Sequence, residues 1–245
     1  MNKIILLRGL AREKSHWEPE FINSLKRQEL EPICIDHPGA GDYREILSPI
    51  HIEDYVSFLQ TQFKEMGLGS EKVYLLGHSL GGMVAIRWAY EYPKQFHKVF
   101  LLNTSDQSSK VFPERSSFFM IKQMLKIIST SDIVKKENAI LDMVSNSSKA
   151  RDRNRDRWIE LAANRPMKTL SQINQTIAAA KFKAPKKLEV PLVYLTSTAD
   201  RMVSHKCSEK LGKTHHAPVY THDKGGHDLA MDAPEWLSSQ ITSHL

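Results

Sequence analysis

A glycine-rich turn around a serine is the clearest candidate for chemistry in this sequence. Residues 77–81 read Gly-His-Ser-Leu-Gly; the apolar run 73–76 precedes them, and the small and apolar residues 82–85 follow. This pattern is typical of a strand that turns sharply into a helix, which presents the serine hydroxyl at the strand end and strains the serine backbone. We therefore predict that Ser79 is a nucleophile and that the Leu80 amide, at the helix N-terminus, donates to a developing oxyanion. The glycines on either side of Ser79 are expected to prevent collisions with neighbouring strands.

Two further polar positions could complete an acid–base system for Ser79. Asp200 lies in a polar turn that follows the apolar run 192–195, and His227 follows two glycines in a loop before the last predicted helix. A catalytic imidazole must reach the serine on one side and a carboxylate on the other, so it must lie on a loop over the carboxyl edge of the sheet. We predict that His227 is the general base, that Asp200 orients it, and that Asp228 orders the loop.

The elements that must hold these residues alternate between strands and helices. Six β-rich runs are predicted as strands: 3–7, 32–36, 72–76, 98–103, 190–196 and 218–222. Segments with apolar residues at the spacing of one helix face lie between and after them: 17–28, 52–66, 81–92, 204–211 and 234–244. This order produces parallel strands joined by right-handed crossovers. The predicted fold class is α/β, with a mostly parallel central sheet of about six strands, helices on both faces and a helical cap insertion.

The insertion separates the fourth and fifth predicted strands. It spans about 80 residues, where a crossover usually needs only one helix. We predict that residues 106–187 form a helical cap, or lid, and that residues 1–105 and 188–245 together form the core domain. The predicted cap helices are 117–128, 131–144, 152–163 and 171–182. The first of them is strongly apolar, and its side chains could line an acyl pocket or belong to a simple core.

The composition excludes several classes of protein. The 245 residues, of which 41% are hydrophobic and 25% charged, fit one globular domain and exclude collagen-like and disordered chains. The longest apolar runs are far shorter than a transmembrane helix, and the N-terminus lacks the features of a secretory signal, so a cytoplasmic location is expected. Cys34 and Cys207 are too few for a disulfide framework or a four-thiolate zinc site, and no metal is expected.

The positive charge of the chain is concentrated in the insertion. The net charge is +6; residues 106–187 contribute +9 and the remainder −3. No zinc-finger spacing or basic stripe with interleaved aromatics accompanies this charge, so no nucleic-acid partner is expected. The basic run 149–157 either attracts an acidic partner, such as an acyl carrier or an anionic lipid, or forms a solvated helix face.

Outside the predicted cap, residues 4–237 resemble the α/β-hydrolase superfamily through the turn 77–81 and the order of nucleophile, acid and histidine. In that superfamily the serine attacks an acyl carbonyl. The resemblance implies that the Leu10 amide is the second oxyanion donor, and it makes Asp106, after the fourth predicted strand, the alternative acid. Arg8 stands where the superfamily usually has a histidine. The side chain of Arg8 or Arg12 is expected either to be solvated or to face the pocket, where it could select an anionic group.

These residues together predict acyl transfer to water by a carboxylic-ester hydrolase, a serine esterase that needs no cofactor and acts on a small-molecule ester. An acyl-carrier methyl-ester esterase of the pimeloyl type, a thioesterase, a lactonase and a carbon–carbon bond hydrolase are alternatives, because all use the same order of residues. A ligand-binding protein of this fold that does not turn over substrate is an alternative from another class. The substrate chain length and the oligomeric state are left open by the sequence.

Overall fold

A single sheet of six parallel strands organises the fold. The computed structural model describes residues 1–245, with the exception of the side chain of Ser70. The strands are β1 (Asn2–Leu7), β2 (Leu30–Ile35), β3 (Val73–His78), β4 (Phe96–Leu102), β5 (Leu192–Ser197) and β6 (Val219–His222). Their order across the sheet is β2-β1-β3-β4-β5-β6, and every neighbouring pair is parallel. The predicted fold class is confirmed, and each strand bound lies within two residues of its predicted position.

Helices connect the strands in the predicted order. Those of the core are α1 (Pro19–Arg27), α2 (Ile52–Glu65), α3 (Leu80–Glu91), α8 (His205–His215), α9 (Leu229–Asp232) and α10 (Pro234–Thr242). Between β4 and β5 lie the cap helices α4 (Phe118–Ile128), α5 (Ile133–Val144), α6 (Ser148–Asn164) and α7 (Thr169–Lys181). The sequence pattern does not predict α9, and the predicted bounds of the cap, 106–187, stay a prediction. Helix α6 begins one turn earlier than predicted, because the Ser147 hydroxyl accepts a hydrogen bond from the Ala150 amide at 3.2 Å.

Both faces of the sheet are buried. Ile5 and Leu7 of β1 belong to one apolar cluster, together with residues of α2 and α3, whereas Ile4 and Leu6 belong to a second cluster with residues of α1 and α10. Successive side chains of a strand point to opposite faces, so a strand that is apolar at every position requires a layer of helices on each side. This burial fixes the positions of the strand ends, from which the candidate site is built.

The first cap helix has an orientation that differs from the expectation. Most of the apolar side chains of α4 are exposed, including Phe118, Leu125 and Ile128, whereas the polar side chain of Gln123 is buried. The expectation that α4 lines an acyl pocket or contributes to a simple core is therefore wrong for these residues. The sequence shows the apolar face of the helix but not the direction in which that face points.

Within the described residues, none of the helices has the length and apolar character that crossing a bilayer requires. The cytoplasmic location stays a prediction.

Candidate active site

Ser79 occupies a strained turn between β3 and α3. Its backbone has φ 54° and ψ −114°, a conformation that an L-residue adopts only when its surroundings hold it there. The Ser79 amide donates to the Leu102 carbonyl at the end of β4 at 2.9 Å. Its carbonyl accepts from the Gly82 amide at 2.9 Å and from the Thr104 hydroxyl at 2.8 Å. The predicted sharp turn from strand to helix is thus present.

Two glycines allow the backbone to close around this turn. A Cβ atom on Gly81 would lie 2.4 Å from the carbonyl oxygen of Leu7, so the neighbouring strand β1 excludes a side chain there, as predicted. A Cβ atom on Gly77 would lie 2.3 Å from the carbonyl oxygen of Gly81. The obstacle at Gly77 is therefore the turn itself, and the expectation that it is a neighbouring strand is wrong.

His227 and Asp200 are joined by a hydrogen bond. His227 Nδ1 donates to Asp200 Oδ2 at 2.7 Å, and both side chains are almost completely buried. The other oxygen of Asp200 accepts from the amides of Met202 and Val203, at 2.7 and 3.1 Å. A carboxylate with this many donors is held in one orientation, which fixes the His227 ring with Nε2 directed away from Asp200.

The alternative acid, Asp106, lies elsewhere. Its Oδ1 accepts from the Ser108 amide at 3.0 Å, and its Oδ2 accepts from the Ala184 amide at 3.0 Å. Asp106 therefore joins the chain leaving β4 to the chain returning toward β5. Its carboxylate has no hydrogen bond to His227 among the described residues.

Consecutive residues after β4 hold the serine and the histidine segments together. Asn103 Nδ2 donates to the His227 carbonyl at 2.7 Å, and the next residue, Thr104, binds the Ser79 carbonyl. His78 Nε2 also lies 3.0 Å from the His227 carbonyl and donates to it. Burial, with a further contribution from His227, lowers the pKa of His78 to about 3, so His78 is neutral and acts as a structural donor.

Among the described side chains, no hydrogen bond joins Ser79 Oγ to His227. Ser79 is half-buried, and catalytic hydrogen bonds are often long until substrate closes the site. The structure therefore brings the His227 segment to the serine turn through His78 and Asn103, and it leaves the Ser79 and His227 side chains without a hydrogen bond to each other.

The loop after β1 passes over Ser79. A Cβ atom on Gly9 would lie 3.2 Å from the Ser79 Cβ, so the adjacent Leu10 amide lies on the serine side of the sheet edge. In the part of the chain that the structure describes, neither the Leu10 nor the Leu80 amide donates to a protein acceptor. Unpaired amides at such an edge can receive negative charge from a substrate. His37 Nε2 donates to the Arg8 carbonyl at 3.0 Å and supports the start of the loop.

Arg8 is buried rather than solvated, which corrects one of the two expectations for it. Its Nη2 lies 2.7 Å from Asp228 Oδ2, and only 2% and 1% of the two side chains are exposed. The guanidinium also stacks over the Trp17 ring at 4.6 Å. Burial alone would raise the pKa of Asp228, but the Arg8 charge, followed by His78, outweighs it and holds the pKa below its usual value. Asp228 thus orders the histidine loop, as expected, by pairing with Arg8.

A cavity of about 230 Å³ lies between the loop after β1 and the cap helices. Its wall includes Ala11 and Arg12 of that loop and Gln172 of α7, but neither Ser79 nor His227. Arg12 is engaged within the protein, because its guanidinium stacks over Trp158 and pairs with Glu137. No group of three or more His, Cys, Asp or Glu side chains that could hold a metal ion occurs among the residues described.

Sequence reasoning did not find Asn103 or Gln175. Asn103 has φ 46°, a conformation that asparagine tolerates better than most residues, and it follows a buried strand at the candidate edge. These two features together are a signal for a positioning residue. Gln175 of α7 accepts from the Ala11 amide at 2.8 Å, and a contact between elements so distant in sequence has no local signal.

The chain matches a known hydrolase family and, over part of its length, a group of curated proteins. Residues 2–233 match the model of the hydrolase family described as serine aminopeptidase, S33. A protein named as a proposed carbamate hydrolase, RutD, from Escherichia coli O139:H28 is 28% identical over 93 residues, which are 37% of this chain and 33% of RutD. The chain thus spans about a third of the length of the curated relatives it matches.

Three solved structures illustrate the fold. The esterase EaEST from Exiguobacterium antarcticum has a TM-score of 0.79 and 15% identity, covering 100% of this chain and 91% of its own. A 2-hydroxy-6-oxo-6-phenylhexa-2,4-dienoate hydrolase from Rhodococcus sp. strain RHA1 has a TM-score of 0.76 and 19% identity, with coverage of 99% and 90%. A bromoperoxidase from Bacillus anthracis has a TM-score of 0.77 and 17% identity, with coverage of 98% and 90%. At these identities the likeness shows the α/β-hydrolase fold alone.

Proposed function

Since the chain belongs to the S33 serine aminopeptidase family of α/β hydrolases, we propose that it is a serine esterase that cleaves carboxylic esters through an acyl-enzyme intermediate. Ser79 is the nucleophile, His227 the general base and Asp200 the carboxylate that orients the base. The observation that carries this proposal is the 2.7 Å hydrogen bond from His227 Nδ1 to Asp200, on a loop bound to the strained turn of Ser79.

The first half of the reaction forms the acyl-enzyme. Ser79 Oγ attacks the carbonyl carbon of the ester while His227 Nε2 takes the hydroxyl proton, and Asp200 stabilises the resulting imidazolium. The amides of Leu10 and Leu80 hold the negative charge that develops on the carbonyl oxygen. When the tetrahedral intermediate collapses, the bond to the alkoxide breaks, and the alkoxide leaves as an alcohol with the proton from His227.

The second half releases the acid. His227 takes a proton from water, which attacks the acyl carbon, and the bond to Ser79 Oγ breaks as the proton returns to the serine. Asp200 keeps its charge throughout, because the proton resides on the imidazole and not on the carboxylate. Apart from the ester and water, these steps use only side chains and amides of the chain.

Labelling by a fluorophosphonate probe tests the nucleophile. We expect the wild-type protein to be labelled and to hydrolyse p-nitrophenyl esters, and Ser79→Ala to lose labelling and about 10⁴-fold in kcat/KM. Ser57→Ala, at an exposed position on α2, is the matched control and should behave as the wild type. Ester turnover that persists in Ser79→Ala would contradict the proposal. Labelling of wild type without steady-state turnover of any ester would favour the ligand-binding alternative.

A panel of substrates separates the remaining activities. Esters with acyl chains from acetyl to dodecanoyl, with neutral and acidic tails, are compared with the corresponding thioesters, lactones and carbamates, and with a substrate cleaved at a carbon–carbon bond. The carbamate is included because of the partial likeness to RutD. The ester is expected to have the highest kcat/KM; a preference for another class would replace the proposed substrate while keeping the nucleophile.

The basic run 149–157, which suggested the acyl-carrier alternative, is partly engaged in contacts within the protein. The basic residues at the start of α6 make contacts within the protein: Arg151 pairs with Asp142, and Arg153 pairs with Glu18 at 3.1 Å. Arg157 Nη1 donates to the Trp17 carbonyl at 3.2 Å. The interpretation of this run as a merely solvated face is incomplete, because Arg153 and Arg157 connect α6 to the residues just before α1, and Arg151 connects it to α5.

A further inference from the structure

The outward face of α4 carries a continuous apolar stripe of Phe118, Ile121, Leu125 and Ile128, which we call the apolar cap stripe. We propose that this stripe docks the protein onto an anionic lipid bilayer, with α4 lying in the plane of the surface and its lysines on lipid phosphates. The proposal goes beyond the esterase function and does not depend on it.

The spacing and exposure of its residues show that the apolar cap stripe is one solvent-facing side of α4. Its residues follow one another at intervals of three, four and three, which places them on one side of a helix. Phe118 is 76% exposed, Leu125 63% and Ile128 75%, although α4 packs on its opposite side against α5. Gln123 is the buried side chain of the helix and Phe119, Met120 and Ile127 are half-buried, so the most exposed apolar side chains of α4 face solvent. Such an arrangement is expected of a helix whose outer face has an apolar partner.

The stripe continues onto the segment before α4. The ring of Phe112 lies 4.6 Å from that of Phe118, edge to face, and the neighbouring Val111 is 70% exposed. Aromatic and aliphatic side chains at the end of an interfacial helix add to the area that enters the acyl boundary. The apolar surface is therefore wider than one row of side chains.

The positive charge next to the stripe favours an anionic partner. Residues 118–136 contain four lysines and one aspartate, and Lys122 and Lys126 of α4 are exposed beside the stripe. Among the described residues, the ion pairs made by lysines involve only Lys3, Lys14 and Lys168. The lysines of this region thus keep their charge available for an anionic surface.

A second copy of the chain is a less suitable partner for the apolar cap stripe than an anionic bilayer, because of the lysines beside the stripe. In a twofold-symmetric dimer the same patch meets itself, so Lys122 and Lys126 of one copy would lie near those of the other. Like charges brought together in this way oppose association. A bilayer with phosphate headgroups instead offers opposite charge at the level of the lysines and acyl chains beneath them.

Docking through the stripe would also orient the candidate site. Ser117, which precedes α4, donates from its hydroxyl to the Arg201 carbonyl, and the Arg201 guanidinium stacks over Phe119 at 4.1 Å. Arg201 follows Asp200 directly in the chain. The start of α4 is therefore attached to the turn that holds the candidate acid, so a docked helix would hold that turn close to the lipid surface.

Flotation with vesicles tests the proposal. The full chain is mixed with vesicles of equimolar phosphatidylglycerol and phosphatidylcholine, and separately with vesicles of phosphatidylcholine alone. We expect flotation with the anionic vesicles, weaker flotation with the neutral ones, and weakening as salt is raised. Phe118→Ser/Leu125→Ser should reduce the partition coefficient about tenfold or more, since two large apolar side chains no longer enter the bilayer.

Matched variants separate the stripe from general surface effects. Leu170→Ser/Ile173→Ser changes two exposed apolar residues of α7 and should float as the wild type does. Lys122→Glu/Lys126→Glu should abolish the preference for anionic vesicles. Because the substituted side chains are exposed, the variants should keep the wild-type circular dichroism spectrum.

Flotation and hydrolysis are separate readouts, so failure of one leaves the other interpretable. The proposal is overturned if the wild type does not float with anionic vesicles or if the stripe variant floats equally well. It is also overturned if sedimentation shows a wild-type dimer that Phe118→Ser/Leu125→Ser converts to monomer while vesicle binding is unaffected, which would identify a second copy as the partner.

Discussion

At the scale of single residues, the candidate site depends on two adjacent residues that face different partners. The His227 side chain binds Asp200 after β5, and the side chain of the next residue, Asp228, binds Arg8 after β1. The carbonyl of His227 accepts from Asn103 after β4. One short segment of the chain thus joins the ends of three strands, and a change at any partner should affect the position of the imidazole.

The amide variant Asp200→Asn tests the role of the acid. An asparagine keeps the shape of the side chain but cannot stabilise the imidazolium or impose the required tautomer, so we expect kcat to fall about 10⁴-fold. Steady-state kinetics with a p-nitrophenyl ester measure this change. Asp106→Asn is the matched control, because its Oδ1 can still accept a hydrogen bond; it should keep most of the activity. Equal losses in the two variants would argue against the choice of Asp200.

Arg8→Met tests the buried ion pair. Removing Arg8 leaves the Asp228 carboxylate buried without its counter-charge, which should lower the free energy of unfolding by about 3–5 kcal/mol. Urea denaturation at neutral pH measures the loss. Arg8→Met/Asp228→Leu should recover much of it, because neither charge then remains buried.

The pH dependence of Arg8→Met should have the opposite sign from that of the wild type. In the wild type the pKa of Asp228 is depressed below its ordinary value of 3.8, so this group contributes stability above that pH and the contribution is lost as the pH falls through the folded pKa. In Arg8→Met, burial raises the pKa, so the contribution of Asp228 becomes unfavourable as the pH rises above the unfolded value. Unfolding free energies measured between mildly acidic and neutral pH should therefore converge for the two proteins toward low pH. A constant difference would contradict the assignment of the effect to Asp228.

At the scale of elements, the contact between α3 and β1 determines how far the serine turn can close. Gly81 lies in the first turn of α3. A Cβ atom at this position would lie 2.4 Å from the carbonyl oxygen of Leu7 and 2.6 Å from that of Arg8. These are backbone atoms of a central strand and of the loop after β1, and they cannot rotate away as a side chain would. The helix, the strand and the loop are thus packed so closely at this point that no side chain fits between them.

Gly81→Ala should displace α3 from β1. Since the added methyl group meets backbone atoms, we expect a loss of about 1–3 kcal/mol in unfolding free energy and a large loss of kcat, because Ser79 and the Leu80 amide move with the helix. Chemical denaturation and ester kinetics measure the two effects. Gly69→Ala is the matched control, since nothing lies within 4 Å of its Cβ position; it should remain close to the wild type. Normal activity in Gly81→Ala would show that the turn is less closely fitted than the distances imply.

At the scale of the whole molecule, the helices between β4 and β5 are hydrogen-bonded to loops of the core. Gln175 of α7 accepts from the Ala11 amide and donates to the Ser48 hydroxyl at 3.2 Å, so it connects the cap to two loops of the core. The uneven charge distribution adds a second property of the molecule. Residues 106–187 have a net charge of +9 and the other residues −3, and charges of this size attract anionic surfaces from a distance at low salt.

Gln175→Leu tests whether α7 supports the loop after β1, which carries the proposed oxyanion donor Leu10. The variant leaves the Ala11 amide without its acceptor, so we expect a loss of about 1–3 kcal/mol in unfolding free energy. The Leu10 amide is then less firmly held, so kcat should fall about tenfold or more while KM changes little. Thr176→Leu, at the neighbouring exposed position, controls for the change in helix composition. A change in KM alone would indicate that Gln175 contacts substrate rather than supporting the loop.

The sequence by itself determined the alternation of strands and helices and the polar side chains present at the ends of the strands. Apolar periodicity reflects burial along one element, and the turn at residues 77–81 has local steric requirements, so both are encoded by residues close together in the chain. The same local information placed Asp200 and His227 on loops that follow parallel strands, whose carboxyl ends meet at one edge.

Only the tertiary structure decided which partners those side chains have. The pairing of Arg8 with Asp228, the choice of Asp200 over Asp106 as the partner of His227, and the support of the loop by Gln175 join residues far apart in the chain. The outward direction of the apolar face of α4 likewise depends on the tertiary structure. Helical periodicity shows that a helix has an apolar face, but the packing of every other element determines whether that face meets protein or solvent.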